Sequence, residues 1–346
     1  MKWQGVGTLI QNRRLIKPCK KEVLRLQRWW MVLSLAMAAV PGWVQTLTQV
    51  STRPDTQVAA MTSDARVLVG YSTRLYFPYA FWWTRQTGEV PLPLPPGAQS
   101  VMARGVSEDG NTVVGSVALN NQWEPIVWRR QGSGFTYQLL PYPAGVRNIT
   151  VQGVSGDGRI IAANYLVGET KGCYWLDGVF HYAPASITQI NGITRTGIMF
   201  GLLGTAYGFR FTLARGVEQL PAGMWALSAD GRYGGGSAPN DQILYMDPCG
   251  VISLGSAPNG GYGSAYAISD DGRILVGAQR SVGAIRWKRE NGFLDGVENL
   301  NTTFAPYLGG VVLDGAYALS ADGRYIAGAA WFGTVRYACL LDTNGR

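Results

Sequence analysis

The chain has 346 residues, of which 47 % are hydrophobic, 11 % aromatic and 15 % charged, with 46 glycines and 17 prolines. About half of the residues can enter a core and charged tracts are scarce, which excludes an intrinsically disordered chain. The formal charge of +8 is local: eight of 30 bases (Lys2, Arg13, Arg14, Lys17, Lys20, Lys21, Arg25, Arg28) precede residue 38 beside one acid, Glu22, leaving 22 bases against 21 acids.

A balance of +1 in the body is too small to displace the counterions of a nucleic acid, so that partner class is excluded. The first element along the chain is a leader over residues 1–43. Its basic stretch runs into the apolar segment WWMVLSLAMAAV at 29–40, followed by Pro41-Gly42. As a helix this segment spans about 18 Å, short of the roughly 30 Å hydrocarbon layer of a membrane. It therefore reads as the apolar core of a signal peptide, with Ala36 and Ala38 as small residues for a cleavage site. The protein is expected outside the cytosol: extracellular, on the cell surface or periplasmic. A membrane is a partner only if the leader stays uncleaved as an anchor with a cytosolic basic tail. Of four cysteines, Cys19 belongs to the leader, and Cys173, Cys249 and Cys339 remain at long spacings without a CxxC pair. They read as buried apolar thiols, and no metal site or cofactor is expected.

The body, residues 44–346, is a repeat. The motif Ser-x-Asp-Gly stands at 107–110, 155–158, 228–231, 269–272 and 320–323, with looser copies at 62–65 and 194–197. In each copy an apolar run enters the motif and a second run usually closes on glycine. A third run follows, centred on Trp83, Trp128, Trp175, Phe211, Tyr245, Trp287 or Leu340. A glycine turn then leads to a fourth run, often ending Leu-Pro. Four short runs separated by Asp-Gly signals are four antiparallel strands, because a tight hairpin needs a positive φ that glycine adopts without strain. One such sheet cannot bury both faces, whereas seven arranged radially can. The fold class is therefore all-β, a seven-bladed β-propeller with four antiparallel strands per blade.

Copy seven stops after its third strand, while residues 44–50 (VQTLTQV) precede copy one, with Leu47 fifteen residues ahead of Thr62. Leu140 stands at the same distance ahead of Ser155. The amino-terminal segment is therefore expected to supply the missing strand and close the ring, removing an exposed sheet edge. A monomer is expected.

The unit at 265–277, AYAISDDGRILVG, followed by Ile285-Arg-Trp287, resembles the bacterial HAF-type extracellular repeat family. The likeness covers residues 57–342 and departs from the aromatic signature at Tyr245 and Leu340. It implies a secreted or surface-exposed bacterial protein with a propeller-like fold and no established catalysis.

The motif aspartates recur once per blade and cannot converge on one ion or bond, so they are read as turn formers. A single histidine, His181, argues against a triad or a His-rich metal site. Two residues before each motif Ser/Thr stands an Ala or Gly (Ala60, Gly105, Gly153, Gly192, Ala226, Ala267, Ala318), small enough for crowding at an axis. One residue earlier the ring varies: Ala59, Arg104, Gln152, Asn191, Trp225, Tyr266 and Tyr317. The second-to-third and fourth-to-first loops carry Tyr76, Phe77, Tyr79, Trp123, Tyr142, Tyr165, Tyr207, Tyr262, Phe304, Tyr307, Trp331 and Phe332 on one face. Aromatic faces with amides and a guanidinium among them suit stacking and hydrogen bonding. The expected site is thus Arg104, Gln152, Asn191, Trp225, Tyr266 and Tyr317, in a noncatalytic module that holds a carbohydrate, a peptide or a surface protein. The alternative is a secreted polysaccharide hydrolase or lyase, drawing a carboxylate pair from Glu124, Glu169, Asp241, Asp247, Glu298 and Asp314.

Overall fold

The computed structural model describes residues 46–74, 76–204, 207–237, 242–255, 263–290, 293–294 and 296–344. The leader expected at 1–43, with Cys19, and also Tyr262 and Asp241, lie outside the described residues. The strands form seven antiparallel sheets, blades one to seven, over residues 56–91, 100–139, 150–182, 189–220, 224–255, 263–299 and 312–342. Within each blade the strands pair in sequence order. Each first strand packs against the first strands of both neighbouring blades, and Val312–Leu319 of blade seven meets Thr56–Met61 of blade one. The expected seven-bladed propeller is thereby closed.

The closing strand is Thr46–Gln49, the fourth strand of blade seven, which pairs antiparallel with Val335–Asp342 and sets Leu47 opposite Leu341. Buried Val50 extends the pairing by donating its N–H to the Ala338 carbonyl at 2.8 Å. The chain is then tied to blade one. The Glu89 carboxylate accepts from the Ser51 hydroxyl at 2.5 Å and from the Thr52 N–H at 2.9 Å. The first described strand and the last are thus held in one sheet, which closes the ring and covers the edge of Val335–Asp342.

Blade six departs from the pattern. Its outer strand is split into Phe293–Leu294 and Glu298–Asn299, both paired with Gly283–Glu290. Two one-turn helices follow, Leu300–Thr303 and Ala305–Leu308, the first capped by the Asn299 side chain accepting from the Asn301 N–H. They seat Leu300, Phe304 and Leu308 in the core between blades six and seven.

The core is divided among the blade interfaces, one apolar cluster lying at each of the seven among the described residues. Trp83, Trp128, Trp175, Phe211 and Trp287 stand in third strands opposite Leu68, Val113, Ile161, Met199 and Leu275. Trp83 packs with blade seven and Trp287 with blade five, so this position faces the preceding blade. Tyr245 and Leu340 are not its equivalents. Met246 and Leu341 occupy the register position, opposite Gly234 and Ile326, and they join the clusters with the preceding blades. Side chains alternate along a strand, so an offset of one residue puts Tyr245 and Leu340 on the other face, against the following blade. There Tyr245 has equivalents of its own. The Trp82 indole, the Arg210 guanidinium and the Tyr245 hydroxyl each donate to the carbonyl of the motif glycine in the next blade, Gly110, Gly231 and Gly272, at 2.8 to 2.9 Å.

The motif itself is a closed hydrogen-bond network. In blade three the buried Ser155 hydroxyl donates to Asp157 Oδ1 at 2.5 Å and accepts from the Ile160 N–H at 2.9 Å. The same carboxylate oxygen accepts from the Arg159 N–H at 3.1 Å. Blades two, five, six and seven repeat the hydroxyl-to-carboxylate bond. The motif aspartates act within their own turns, as expected. His181 lies on its strand with the ring stacked on Tyr174, 5.0 Å between centroids. Cys173 and Cys339 are buried but Cys249 is exposed, against the expectation of three buried thiols, because it sits in the turn between the third and fourth strands of blade five.

Candidate functional site at the channel mouth

Each first strand contains a register shift, between Val58 and Ala60, Ala103 and Gly105, Val151 and Gly153, Ile190 and Gly192, Met224 and Ala226, Ala265 and Ala267, and Ala316 and Ala318. The residue skipped by the ladder is a β-bulge. In chain order the skipped residues at this height are Ala59 and the six expected site residues, Arg104, Gln152, Asn191, Trp225, Tyr266 and Tyr317; blade seven has a second shift three residues earlier, which skips Asp314. A bulge frees one side chain from the alternation that commits its neighbours to a blade interface. Seven bulges at one height on the innermost strands therefore build a ring around the axis.

The bulge also explains the glycine that closes the second strand. At Gly277 an added Cβ would stand 1.9 Å from the Ser264 carbonyl oxygen, and at Gly70 it would stand 2.1 Å from that of Gln57. The small residues after each bulge answer a separate constraint, the approach of neighbouring first strands. A Cβ on Gly105 would meet the Val154 nitrogen at 2.9 Å.

The ring is chemically unequal around its circumference. Asn191 donates to the Met224 carbonyl of blade five at 2.8 Å and accepts from Gln189 at 2.9 Å. Gln152 donates to the Thr150 carbonyl at 3.1 Å. On blades five to seven the ring is aromatic. Trp225 and Tyr266 are each 39 % exposed, and Tyr266 meets Tyr317 edge to face at 5.4 Å. Burial pushes the Tyr317 hydroxyl above its usual range, and this hydroxyl accepts from Arg336 at 3.3 Å. On blade two, Arg104 lies over the Tyr71 ring at 5.5 Å and touches the Met102 sulfur at 3.4 Å.

The structure adds residues that sequence reasoning did not place at the site. Arg336 of blade seven donates to Asp314 at 2.7 Å and to Gln57 of blade one at 3.1 Å. Gln57 in turn donates to the Tyr71 hydroxyl at 2.9 Å. A polar chain thus joins Arg104, Tyr71, Gln57, Arg336 and Tyr317 across two blade interfaces. The available signal was a charge, Asp314 or Arg336, inside a strand otherwise committed to burial.

The turn end of the channel is drawn together. The second motif residues, Ser63, Glu108, Gly156, Arg195, Ala229, Asp270 and Ala321, bond in succession around the axis. Glu108 N–H donates to the Gly156 carbonyl, Gly156 N–H to Arg195, Asp270 N–H to Ala321 and Ala321 N–H to Ser63, at 2.8 to 3.0 Å. Glu108 closes onto the Ser63 N–H at 3.1 Å, Asp270 onto the Ala229 N–H at 3.3 Å, and the Thr196 hydroxyl donates to the Ala229 carbonyl. Arg195 of blade four reaches past blade five to pair with Asp270 of blade six. Asp270 first, with help from Glu108 and Asp230, raises the guanidinium pKa. This collar leaves the loop face as the open end.

The loop aromatics divide by partner. Tyr76, Phe77, Tyr207, Tyr307 and Trp331 are exposed. Phe304 is core. Tyr79 donates to Glu89 at 2.8 Å and Tyr142 to Glu124 at 2.5 Å, and Phe332 packs on Tyr337 at 5.7 Å, so these seal loops onto blades. The carboxylates of the enzyme alternative are held singly: Asp247 by Arg289, Glu169 by Lys171, Glu298 by Arg286, Asp314 by Arg336 and Glu124 by Tyr142. No group of three His, Cys, Asp or Glu residues gathers as for a metal ion among the described residues.

No family model and no curated protein matches the chain. Among solved structures it is similar to one titled as the crystal structure of the Myceliophteria thermophila Cps50 (Swd1) β-propeller domain. The identity is 13 % and the TM-score 0.58, over 86 % of this chain and 99 % of that one. At that identity the likeness concerns the fold alone, which it places among β-propellers.

Proposed function

We propose that this protein is a noncatalytic interaction module of the HAF-type repeat kind, exported by its leader, that holds a ligand at the open mouth of the propeller channel. The ligand classes that suit the mouth are a carbohydrate, a peptide or a segment of a cell-surface protein. The observation that carries the reading is the ring of seven bulges. A bulge costs ladder hydrogen bonds, and a purely structural ring has no use for a different side chain at each one. Exposed Trp225 and Tyr266 offer flat apolar faces, and Gln152 and Asn191 supply amides for orientation. The enzyme alternative has no comparable support, since each of its described carboxylates is already engaged by another side chain.

The test is a glycan and peptide array probed with the full chain and with the double variant Trp225→Ala, Tyr266→Ala. Stacking on two aromatic rings amounts to about 1 to 3 kcal/mol, so binding should fall about tenfold or more. A ligand held at full affinity by the double variant would refute the mouth as the site.

A further inference from the structure

The channel is electrically lopsided, and that asymmetry names a ligand chemistry. None of the seven residues of the bulge ring is acidic. Nor is any of the residues two positions before them, Gln57, Met102, Thr150, Gln189, Gly223, Ser264 and Gly315. The second bulge residue of blade seven, Asp314, is taken up by Arg336. Two guanidiniums reach this zone. Arg336 is neutralised by Asp314 at 2.7 Å. Arg104 has as its contacts the Tyr71 ring and the Met102 sulfur, and no carboxylate within ion-pairing distance among the described residues. The collar arginine, Arg195, is satisfied by an acid, Asp270. Among the described residues the uncompensated charge at this height is therefore the Arg104 cation, half-buried and steadied on an aromatic face.

Its position in the ring supplies the second constraint. In a seven-fold ring the blades opposite blade two are blades five and six, which carry Trp225 and Tyr266. A ligand that fills the mouth thus meets a cation on one side and two exposed aromatic rings on the other. Gln152, on the blade next to Arg104, adds an amide beside the cation. The collar at the turn end gives the third constraint. The channel accepts a chain end or a projecting side chain from the loop face, and it does not suit a polymer threaded from one face to the other.

We propose that the mouth is a receptor for a carboxylate-bearing peptide segment: an Asp or Glu side chain, or a free carboxyl terminus, pairs with Arg104 while an adjacent apolar or aromatic residue stacks on Trp225 and Tyr266. This deepens the interaction-module reading and rests on it. Guanidinium and carboxylate match as a two-pronged hydrogen-bonded pair, and charge-assisted bonds of this kind exceed neutral ones. A cationic ligand would find the aromatic rings but would be repelled by Arg104, so a basic peptide is excluded by the same geometry.

The experiment screens a random peptide library, displayed with free and with amidated carboxyl termini, against the full chain, with oligogalacturonate as an acidic sugar arm. Affinities of the recovered peptides are then measured by fluorescence anisotropy. The expected result is a common carboxylate in the bound peptides. Converting it to the amide should weaken binding about tenfold or more, as expected when a hydrogen-bonded charge partner is lost. Arg104→Met should weaken the acidic peptide equally and abolish the difference between acid and amide, while Arg104→Lys should retain part of it. A melting temperature within about 2 °C of the parent, less than about 1 kcal/mol for a chain of this size, establishes that the variants are folded. Equal binding of acid and amide, recovery of basic peptides, or binding of oligogalacturonate in place of peptides would each overturn the proposal. A ligand lost in Trp225→Ala but untouched by Arg104→Met would refute the carboxylate assignment and leave the mouth reading standing.

Discussion

Replacing Ser155 by alanine tests the account of the motif turn. The hydroxyl is buried at 2 % exposure and makes two bonds, one donated to Asp157 at 2.5 Å and one accepted from the Ile160 N–H at 2.9 Å. A hydrogen bond to a charged group contributes about 1.5 to 3 kcal/mol, and an N–H left without an acceptor in a buried position costs about 1 to 3 kcal/mol. Ile160 is only half-buried, so water can reach part of that N–H, and the expected loss is about 2 to 4 kcal/mol. For a chain of this length that corresponds to a fall in melting temperature of roughly 4 to 8 °C, at about 2 °C per kcal/mol. The loss should also depend on pH with a definite sign. The Ser155 hydroxyl is the main reason that the Asp157 carboxyl titrates below its ordinary value. A carboxylate with a depressed folded pKa adds stability above the unfolded value of about 3.9, and that stability disappears as pH falls through the folded pKa. The gap between parent and variant should therefore be full at neutral pH and should narrow below about pH 4. The assay is calorimetric melting of both proteins across that range. A drop under about 1 °C at neutral pH, or a gap that stays constant as the carboxylate is protonated, would refute the reasoning.

Gly277→Ala forces a Cβ to within 1.9 Å of a backbone oxygen that no rotamer change can move, so a loss of about 3 kcal/mol or more is expected. The reverse change at the equivalent place in blade three, Ala163→Gly, should cost about 0.5 to 1 kcal/mol, and a thermal melt ranking the two the other way would remove the bulge as the cause. Alkylation should distinguish the thiols by burial. Burial pushes the Cys339 thiol up to about 12 and the Cys173 thiol up as well, so iodoacetamide at about pH 8 should label Cys249 in the native protein and leave these two for the denatured one. Mass spectrometry showing Cys173 or Cys339 alkylated without unfolding would contradict the packing described.

The architecture was legible because propeller constraints repeat and leave a periodic trace. Ser-x-Asp-Gly marks each first turn, since a buried hydroxyl and a carboxylate must meet there. The closing strand was legible, but the equal offset matched the wrong residue: Val50, which donates its N–H to Ala338, is the register equivalent of Leu140, which donates to Pro125, because the chain from there to the motif is three residues shorter before blade one. The fourth strand of blade six could not be read in the same way. Its split course through Phe293–Leu294 and Glu298–Asn299, with two short helices after it, follows no repeated spacing. Tyr245 and Leu340 were misplaced by one position for a reason inherent in strands. An aromatic pattern fixes which run is the third strand, but facing needs the register against the second strand, and period two turns an error of one residue into the opposite face. The polar chain through Gln57, Arg336 and Asp314 was hidden because it joins different copies, and comparison between copies detects only what they share.

The bulge residues were visible for the converse reason, and the ladder explains why. Residues on either side of the skipped position are bound to the ladder, and each copy repeats a small residue just after it and an apolar one just before. The skipped residue owes nothing to the ladder. Packing between blades leaves it open, and it differs in kind from blade to blade: Ala, Arg, Gln, Asn, Trp, Tyr, Tyr. The collar carries the complementary pattern at the other end, where Glu108, Arg195 and Asp270 break the run of Ser, Gly and Ala at the second motif position. There the side chains complete bonds between turns that backbone atoms alone do not make. The two rings differ in chemistry because the collar side chains bond to neighbouring turns while the bulge side chains are released from the ladder, so charge without a carboxylate partner falls in the bulge ring, where Arg104 carries it.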